Sequence, residues 1–216
     1  MRQNPSFTLA ESGEIKRLIR ENPWVTMVSA TGDGLVASHY PVLLDESRDD
    51  LSILSHVGRP DEQLHELGRH ELLVIIQGPH GYVSPGWYDA NPAVPTWNFV
   101  AVHLSGVPEI LTDEENWRVL GALVDHFEDR MPSPRRMTGT PENADYASRI
   151  MSGTVGFRLT PTKIVAKNKM SQNKSQQTVD RIIGELSGPG PYANAALAAE
   201  MRRTHERMRR ISETTR

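Results

Sequence analysis

The sequence predicts a mostly β protein with peripheral helices, built as a closed or half-closed antiparallel barrel. About seven short strand-like segments are separated by Gly, Pro and Asn turn residues. Helical patterns precede, interrupt and follow these segments instead of alternating with them, which disfavours a βαβ architecture. The chain has no cysteine and therefore no disulfide, so its fold must be stabilised by a buried hydrophobic core.

Composition narrows the functional classes. The 216 residues weigh 24.2 kDa and carry a net charge of −3 with a pI near 6.2, which argues against nucleic-acid binding across the whole surface. The lack of cysteine excludes iron–sulfur clusters, zinc fingers and thiol catalysis, and a reducing cytoplasm is the expected location. Leu72–Ile76 is the longest aliphatic run and is too short to cross a membrane. Residues 1–30 show no basic-then-apolar leader, so we expect no signal peptide.

The first half of the chain predicts a helix and four strands. Residues 8–22 place Ile15, Leu18 and Ile19 on one helical face, and Pro23 ends the helix. Alternating residues on either side of a Gly-Asp-Gly turn predict a hairpin, which further strands follow. These strands are Trp24–Ala30, Leu35–Leu44, Leu51–Val57 and Leu72–Gln77.

The segments that follow are shorter or more polar. Asp61–Leu67 predicts one or two helical turns, and Gly78–Gly81 predicts a turn into a short strand at Tyr82–Ser84. Phe99–Leu111 predicts a long strand, with Asn98, Val100, Val102 and Leu104 on one face. The remaining predictions are a helix from Thr112 to Arg130, a loop over 131–145, strands at Gly153–Thr160 and Lys163–Lys169, and helices at Thr178–Leu186 and Ala193–Ile211.

One stretch is unusual in composition. Gly78–Tyr88 and Val94–Asn98 together hold four aromatic residues, three prolines and a Thr-Trp-Asn trio. Prolines lower the entropy cost of fixing a loop, and indoles and phenols offer flat walls with a polar tip. Such a loop either lines a pocket for a flat ligand or forms a well-packed structural corner.

Several segments resemble the PaiB-like family, the FMN-binding negative transcriptional regulators. They are Asn4–Phe7, Ser38–Pro41, Ser55–Arg59, Gly78–Asn98, Phe99–Gly106 and Lys169–Asn173. The resemblance covers nearly the whole chain and implies a dimeric split β-barrel of the flavin-reductase type. A Gly-Pro-Gly break at 188–190 precedes the last predicted helix, so we predict a barrel domain over 1–190 and a helical extension over 191–216. The resemblance also implies a small-molecule substrate and a cofactor site at the subunit interface. The cofactor-binding residues would include Tyr82, Ser84, Trp87, Trp97, Lys167, Gln172 and Asn173.

The sequence departs from that family beside Arg59. Where the family has an Ala-Asn-Pro-Gln-Trp segment, this chain has Pro60, Asp61 and Glu62, which add negative charge where a flavin phosphate needs donors. Only Arg59 remains there as a phosphate partner. His65 follows on the short helix, so we predict that it is either a haem axial ligand or an ordinary helix histidine.

This departure leads to a prediction of haem b as the cofactor, with FMN as the alternative. Arg59, Lys167 and Lys169 would then meet the haem propionates. One branch of the PaiB-like family consists of haem-dependent piperazate synthases, which cyclise N5-hydroxy-L-ornithine to L-piperazic acid by forming an N–N bond. We therefore expect this activity, and the alternative is an FMN-binding regulator or a flavin-dependent reductase.

Four residues of the matching motifs form the predicted catalytic set, as acid, base or carboxylate contacts. They are Thr96, His56, Tyr40 and Lys169. The arginine-rich helix over 198–216 would bind DNA or a membrane, or clasp the dimer; its interspersed glutamates favour the clasp over nucleic-acid or membrane binding.

Overall fold

A computed structural model describes residues 1–2, 4–88 and 91–214, which form nine β-strands and six α-helices. The strands are β1 Trp24–Thr31, β2 Gly34–Pro41, β3 Leu43–Leu44, β4 Ile53–Gly58, β5 Leu72–Val83, β6 Thr96–Gly106, β7 Glu109–Ile110, β8 Thr154–Leu159 and β9 Lys163–Lys169. The helices are α1 Ser12–Glu21, α2 Arg59–Leu64, α3 Asp113–Glu128, α4 Pro141–Met151, α5 Gln176–Ser187 and α6 Ala195–Thr214. Single 3-10 turns occur at Pro5–Phe7 and Pro85–Trp87.

The strands form two sheets. A five-stranded sheet has the order β2-β1-β5-β6-β9, and a four-stranded sheet has the order β3-β4-β8-β7. The β1–β2, β1–β5, β3–β4, β4–β8 and β7–β8 pairs are antiparallel. The prediction of a mostly β protein with peripheral helices is confirmed. Within the described part of the chain, no helix is both long and apolar enough to cross a membrane.

The chain divides into two units. The first unit contains residues 1–10, 77–101 and 166–216, and the second contains residues 11–76 and 102–165. The predicted boundary at residue 190 stays a prediction. Residues 215 and 216 of the predicted extension lie outside the described residues.

The second unit forms around strands whose alternate residues are buried. In β1, Val25 and Met27 are buried, and a tight turn pairs Thr31 with Gly34, where φ is +116°. Gly156 of β8 faces Asn116 of α3, and a Cβ atom at Gly156 would lie 2.8 Å from the Asn116 Oδ1 atom. The absence of that Cβ lets α3 pack directly onto the sheet.

The first unit is built around two helices and the start of β6. Asn98 and Val100 are fully buried, as the predicted alternation requires. Helix α5 buries Val179, Ile182 and Leu186, in agreement with the predicted helix over Thr178–Leu186, and α6 buries a second apolar set. The members of that second set are Leu197, Ala198 and Met201.

Several predicted boundaries differ from the structure. The predicted strand Leu35–Leu44 divides at Val42 into β2 and β3, which belong to different sheets. Strand β5 continues through Gly78–Gly81, where we predicted a turn, so the glycines lie within the strand instead of ending it. The predicted strand Phe99–Leu111 divides into β6 and β7 around Pro108, which has no N–H to pair. The predicted loop over 131–145 is wrong at its end because α4 begins at Pro141 after a Thr140 cap.

We predict that Asp45→Asn lowers the free energy of unfolding by about 1–3 kcal/mol, because the Asp45 side chain is 4% exposed and bonded to Arg158 at 2.8 Å. Burial alone would raise the Asp45 pKa, but hydrogen bonds from Ser47 and Arg158 lower it overall. The stabilisation is therefore present above the unfolded-state pKa and is lost as the pH falls through the folded-state value. Urea unfolding at neutral and acidic pH measures both effects.

Glu109→Gln is the matched control, because Glu109 bonds to the same arginine at 3.1 Å but is 62% exposed. We expect it to change stability by less than about 0.5 kcal/mol. Equal losses in the two variants would contradict the role given to burial at Asp45.

Candidate functional site

The residues predicted for the site are divided between the two units. The first unit holds Tyr82, Ser84, Trp87, Thr96, Trp97, Lys167, Lys169, Gln172 and Asn173. The second unit holds Tyr40, His56, Arg59 and His65.

A cleft of about 430 Å³ in the first unit, called the lysine cleft below, is lined by Tyr88, Pro92, Pro95, Thr96, Lys169 and Lys174 among others. The Lys169 Nζ atom donates a hydrogen bond to the Thr96 Oγ1 atom. Burial, and secondly the charge of Lys167, lowers the pKa of Lys169. None of the described residues that line this cleft is acidic. The lysine cleft is therefore a cationic site with apolar walls.

The turn over 168–174 carries the polar end of the lysine cleft. Ser171 has a φ of +62°, and its hydroxyl exchanges hydrogen bonds of 2.9 and 3.2 Å with the buried Asn98 amide. The Gln172 side chain accepts from the Met170 N–H at 2.7 Å and donates to the Asn168 carbonyl at 2.6 Å. Gln172, predicted to bind the cofactor, therefore shapes the turn, whereas Asn173 lines the cleft.

Helix α6 holds the same turn from behind. The His205 Nε2 atom lies 2.9 Å from the Met170 carbonyl oxygen, and the Asn168 amide donates to the Thr204 hydroxyl at 2.9 Å. Thr204 and His205 are both buried. The position of Lys169 and Ser171 thus depends on a helix that sequence patterns did not connect to the site.

Tyr82 and Trp97 lie in a different cleft from Thr96 and Lys169. This second cleft of about 380 Å³, called the ring cleft, is lined by His80, Gly81, Tyr82, Trp97, Tyr192 and Asn194 among others. Thr96 and Trp97 are consecutive in β6, so their side chains point to opposite faces of the strand. The aromatic loop does line a pocket, as one of the two sequence-based alternatives predicted.

Three other predicted cofactor residues of the first unit make local contacts. Ser84 caps the 3-10 turn by accepting from the Gly86 N–H at 3.2 Å, and Trp87 is half-buried in that turn. The Lys167 Nζ atom lies 5.5 Å from the centre of the Phe99 ring. Lys167 therefore raises the positive charge beside Lys169, whereas Ser84 and Trp87 stabilise the chain around the clefts.

In the second unit, Tyr40 and His56 lie together beside α2. The Tyr40 hydroxyl donates to Asp61 at 2.6 Å and accepts from the Gly58 N–H at 3.2 Å, and burial raises its pKa. The His56 ring lies edge-on to Tyr40 with centroids 5.9 Å apart. Burial lowers the pKa of His56, and its buried Nδ1 atom has no hydrogen-bond partner within the described residues. A neutral imidazole is thus held beside a phenol.

Arg59 is exposed but anchored. Its backbone N–H donates to the Gly153 carbonyl at 2.9 Å, and its Nε atom donates to the Ser152 carbonyl at 2.6 Å. These bonds fix the guanidinium group at the end of α4. Its terminal nitrogens remain at the surface, where they could meet a phosphate or propionate.

His65 does not fit the predicted role of haem ligand. The residue is 1% exposed, its Nδ1 atom lies 2.8 Å from the Ser29 hydroxyl, and its Nε2 atom lies 3.0 Å from the Ser38 hydroxyl. An axial ligand needs an accessible nitrogen lone pair, and both ring nitrogens are engaged here. Burial lowers the His65 pKa, although the charge of Asp61 raises it. The geometry is that of a buried histidine bridging a hairpin.

Sequence reasoning missed two residues that line the clefts. Lys174 lies 4.7 Å from the centre of the Tyr88 ring, and Tyr192 contributes a wall of the ring cleft. Lys174 follows the matching segment directly, so a third lysine after Lys167 and Lys169 was a usable signal. Nothing in the sequence connects Tyr192 with Tyr82, because only the tertiary structure brings the two together.

The two-sheet arrangement with peripheral helices is a split-barrel fold that is shared with several solved structures. One solved structure with a similar fold is the flavocytochrome Anf3 from Azotobacter vinelandii. The match has a TM-score of 0.57 and 12% identity, and it covers 78% of this chain and 72% of that one. Another is the FAD and heme binding protein from Mycobacterium smegmatis. That match has a TM-score of 0.58 and 15% identity, and it covers 80% of this chain and 78% of that one. At these identities the likeness concerns the fold alone.

The sequence comparisons then define the family. The family profile described as "Putative FMN-binding domain" matches residues 1–163, and the chain belongs to this family. The chain is 29% identical over 197 residues to "Protease synthase and sporulation protein PAI 2" of Bacillus subtilis (strain 168), covering 90% of this chain and 93% of that protein. The resemblance to the PaiB-like proteins is confirmed.

We predict that His65→Ala lowers the free energy of unfolding by about 2–4 kcal/mol, because it opens a cavity and leaves two serine hydroxyls without their partner. The folded fraction should keep the cofactor absorption of the unchanged protein. Urea unfolding and an absorption spectrum of the purified protein measure the two effects.

His70→Ala is the control, because His70 is exposed and pairs only with Glu66 at its surface. It should change stability by no more than about 0.5 kcal/mol. Selective loss of a Soret band in a fully folded His65→Ala protein would restore the ligand role.

Proposed function

We propose that this chain binds FMN in the lysine cleft and works as a flavin-dependent protein. One observation carries the proposal. Lys169 is half-buried beside Lys174 in an apolar-walled cleft, and its ammonium group donates to the neutral Thr96 hydroxyl, while none of the described residues that line the cleft is acidic. A half-buried ammonium group with no carboxylate among the described residues of its cleft favours a ligand that brings negative charge.

The three lysines are held by groups that leave their charge available. Lys169 bonds to a hydroxyl, Lys174 lies over the Tyr88 ring, and Lys167 lies over the Phe99 ring. Cation–π contacts orient an ammonium group without neutralising it. The phosphate of FMN carries close to two negative charges at neutral pH, so it complements this arrangement. We assign the phosphate to Lys169 and Lys174, with Lys167 adding to the field.

The walls suit a flat ring system. Tyr88, Pro92 and Pro95 supply apolar surface, and Val94 beside them is 75% exposed. A ring laid on these side chains would remove apolar area from water, which contributes to binding. When bound, FMN supplies hydride and single-electron transfer. The chain's own contribution is to orient the cofactor: Thr96 and Asn173 offer a hydroxyl and an amide at the edge of the cleft.

The haem-dependent cyclisation of N5-hydroxy-L-ornithine, expected from the sequence, rests on the resemblance alone. With His65 engaged on both nitrogens, we derive no step through a haem iron. The roles of Thr96 and Lys169 as acid or base belong to the same proposal as FMN binding, because both residues line the cleft where a flavin would accept or give up a proton. The acid or base roles of Tyr40 and His56, which lie in the second unit, stay predictions from the sequence. The purified protein should therefore be titrated with haem as well as with FMN.

We predict that Lys169→Met weakens FMN binding about tenfold to a hundredfold, because one charge-assisted hydrogen bond to the phosphate is lost. Titration of the purified protein with FMN, followed by flavin fluorescence, measures the dissociation constant. Lys163→Met is the matched control, since Lys163 is exposed at the start of the same strand and does not line the cleft. Binding of haem with no uptake of FMN would overturn the proposal.

The pH dependence gives a second readout. FMN affinity should rise as the phosphate loses its second proton near a pKa of about 6. It should fall again as Lys169 loses its charge, at a lower pH than an ordinary lysine because burial lowers its pKa. The fall should be weaker or absent in Lys169→Met. If FMN affinity falls equally at alkaline pH in the Lys169→Met variant and in the unchanged protein, the phosphate binds elsewhere.

The homodimer expected from the resemblance is also part of the proposal. On one face of the second unit, Val28 pairs with Ala37 and with Leu73, and Leu35 beyond them is 81% exposed. Paired residues share a face, so this face of the sheet presents apolar side chains that a second copy would bury. Sedimentation velocity should give twice the 24.2 kDa mass of the chain. A monomer at all concentrations would contradict this expectation.

A further inference from the structure

The ring cleft presents four aromatic side chains as one surface. The His80 and Trp97 rings are nearly parallel, with an interplanar angle of 23° and centroids 6.4 Å apart. Tyr82 meets Trp97 edge-on at 6.5 Å and meets Tyr192 at 4.8 Å. Trp97 and Tyr192 are 55% and 52% exposed, so much of this aromatic area faces water. Exposed rings in a concave arrangement are typical of a binding surface.

The backbone around Gly81 builds this cleft. A Cβ atom at Gly81 would lie 3.0 Å from the Leu197 Cδ2 atom and 3.2 Å from the Asn194 Nδ2 atom. The Asn194 amide donates to the His80 carbonyl at 2.9 Å, and its Oδ1 atom accepts from the Leu197 N–H at 3.0 Å. These contacts bind the segment before α6 to β5. Tyr192 is thereby held against Tyr82.

The chemistry of the lining selects against charged ligands. Among the described residues that line the ring cleft, none carries a carboxylate, ammonium or guanidinium group. The His80 Nδ1 atom lies 3.1 Å from the Gly78 carbonyl oxygen and 3.2 Å from the Gln77 amide nitrogen, and the tautomer that donates to Gly78 carries its proton on Nδ1. In that tautomer Nε2 is an acceptor, and the Gln77 amide nitrogen lies 3.5 Å from it. The cleft thus combines flat apolar walls with a hydrogen-bond acceptor.

We propose that the ring cleft is a second binding site, for a flat, uncharged heteroaromatic compound with an N–H donor on its edge. The rings would stack on Trp97 and Tyr192, and the N–H would donate to His80 Nε2. The volume of about 380 Å³ suits a bicyclic or tricyclic ring system. Its lining residues differ from those of the lysine cleft, so this site does not rest on FMN binding there.

Theophylline is a suitable probe because it is flat, uncharged at neutral pH and has one N–H donor. Calorimetric titration of the full chain should show binding. Trp97→Ala and Tyr192→Ala should each weaken it about tenfold, as expected for the loss of one stacking partner. Tyr192 lies on a connecting segment, so its variant tests the site even if Trp97→Ala fails to fold.

Two control variants separate this site from other surfaces. Trp24→Ala removes a tryptophan that is 65% exposed and also stacks on a histidine, His39, but belongs to the second unit. Lys169→Met disables the lysine cleft. Both should leave theophylline binding unchanged. No binding by the unchanged protein, equal loss in Trp24→Ala, or loss in Lys169→Met would each overturn the proposal.

Discussion

The two-residue period of strand β6 is the constraint on which both clefts depend. Consecutive side chains on a strand point to opposite faces, so Thr96 and Trp97 cannot serve the same cavity. Thr96 meets Lys169 on one side, and Trp97 meets His80 and Tyr82 on the other. Because Asn98 is fully buried directly after them, the register of the strand is fixed. A polar cleft and an aromatic cleft therefore form back to back.

Buried polar contacts transmit this register to the lysine-bearing turn. Asn98 exchanges two hydrogen bonds with Ser171, and Asn168 bonds to Thr204 of α6. Each of these groups would be costly to bury alone, so the contacts specify one arrangement of the turn. Ser171 adopts a positive φ that an L-residue rarely takes, which the surrounding bonds must hold. The rigidity of the turn is what places Lys169 in a cavity instead of in solvent.

His65 shows that one departure in sequence can have more than one structural meaning. The loss of the family's phosphate segment and the arrival of a histidine beside it suggested a metal ligand. The structure instead uses the imidazole to join α2 to the β1–β2 hairpin through Ser29 and Ser38. Those serines lie 36 and 27 residues away in the chain, so sequence spacing could not reveal the bridge. A buried histidine with both nitrogens satisfied is a common structural solution for a polar group in a core.

The sequence by itself determined the secondary structure classes and the alternation of β6, because these depend on local periodicity and turn chemistry. It also determined the family and the aromatic residues of the loop, because these depend on contiguous motifs. It also indicated Thr96 and Lys169, although not their contact. Only the tertiary structure decided that β5 runs through its glycines, that Tyr82 and Trp97 leave the lysine cleft, and that Tyr192 closes the ring cleft. These features depend on residues far apart in the chain, and only long-range packing sets such contacts.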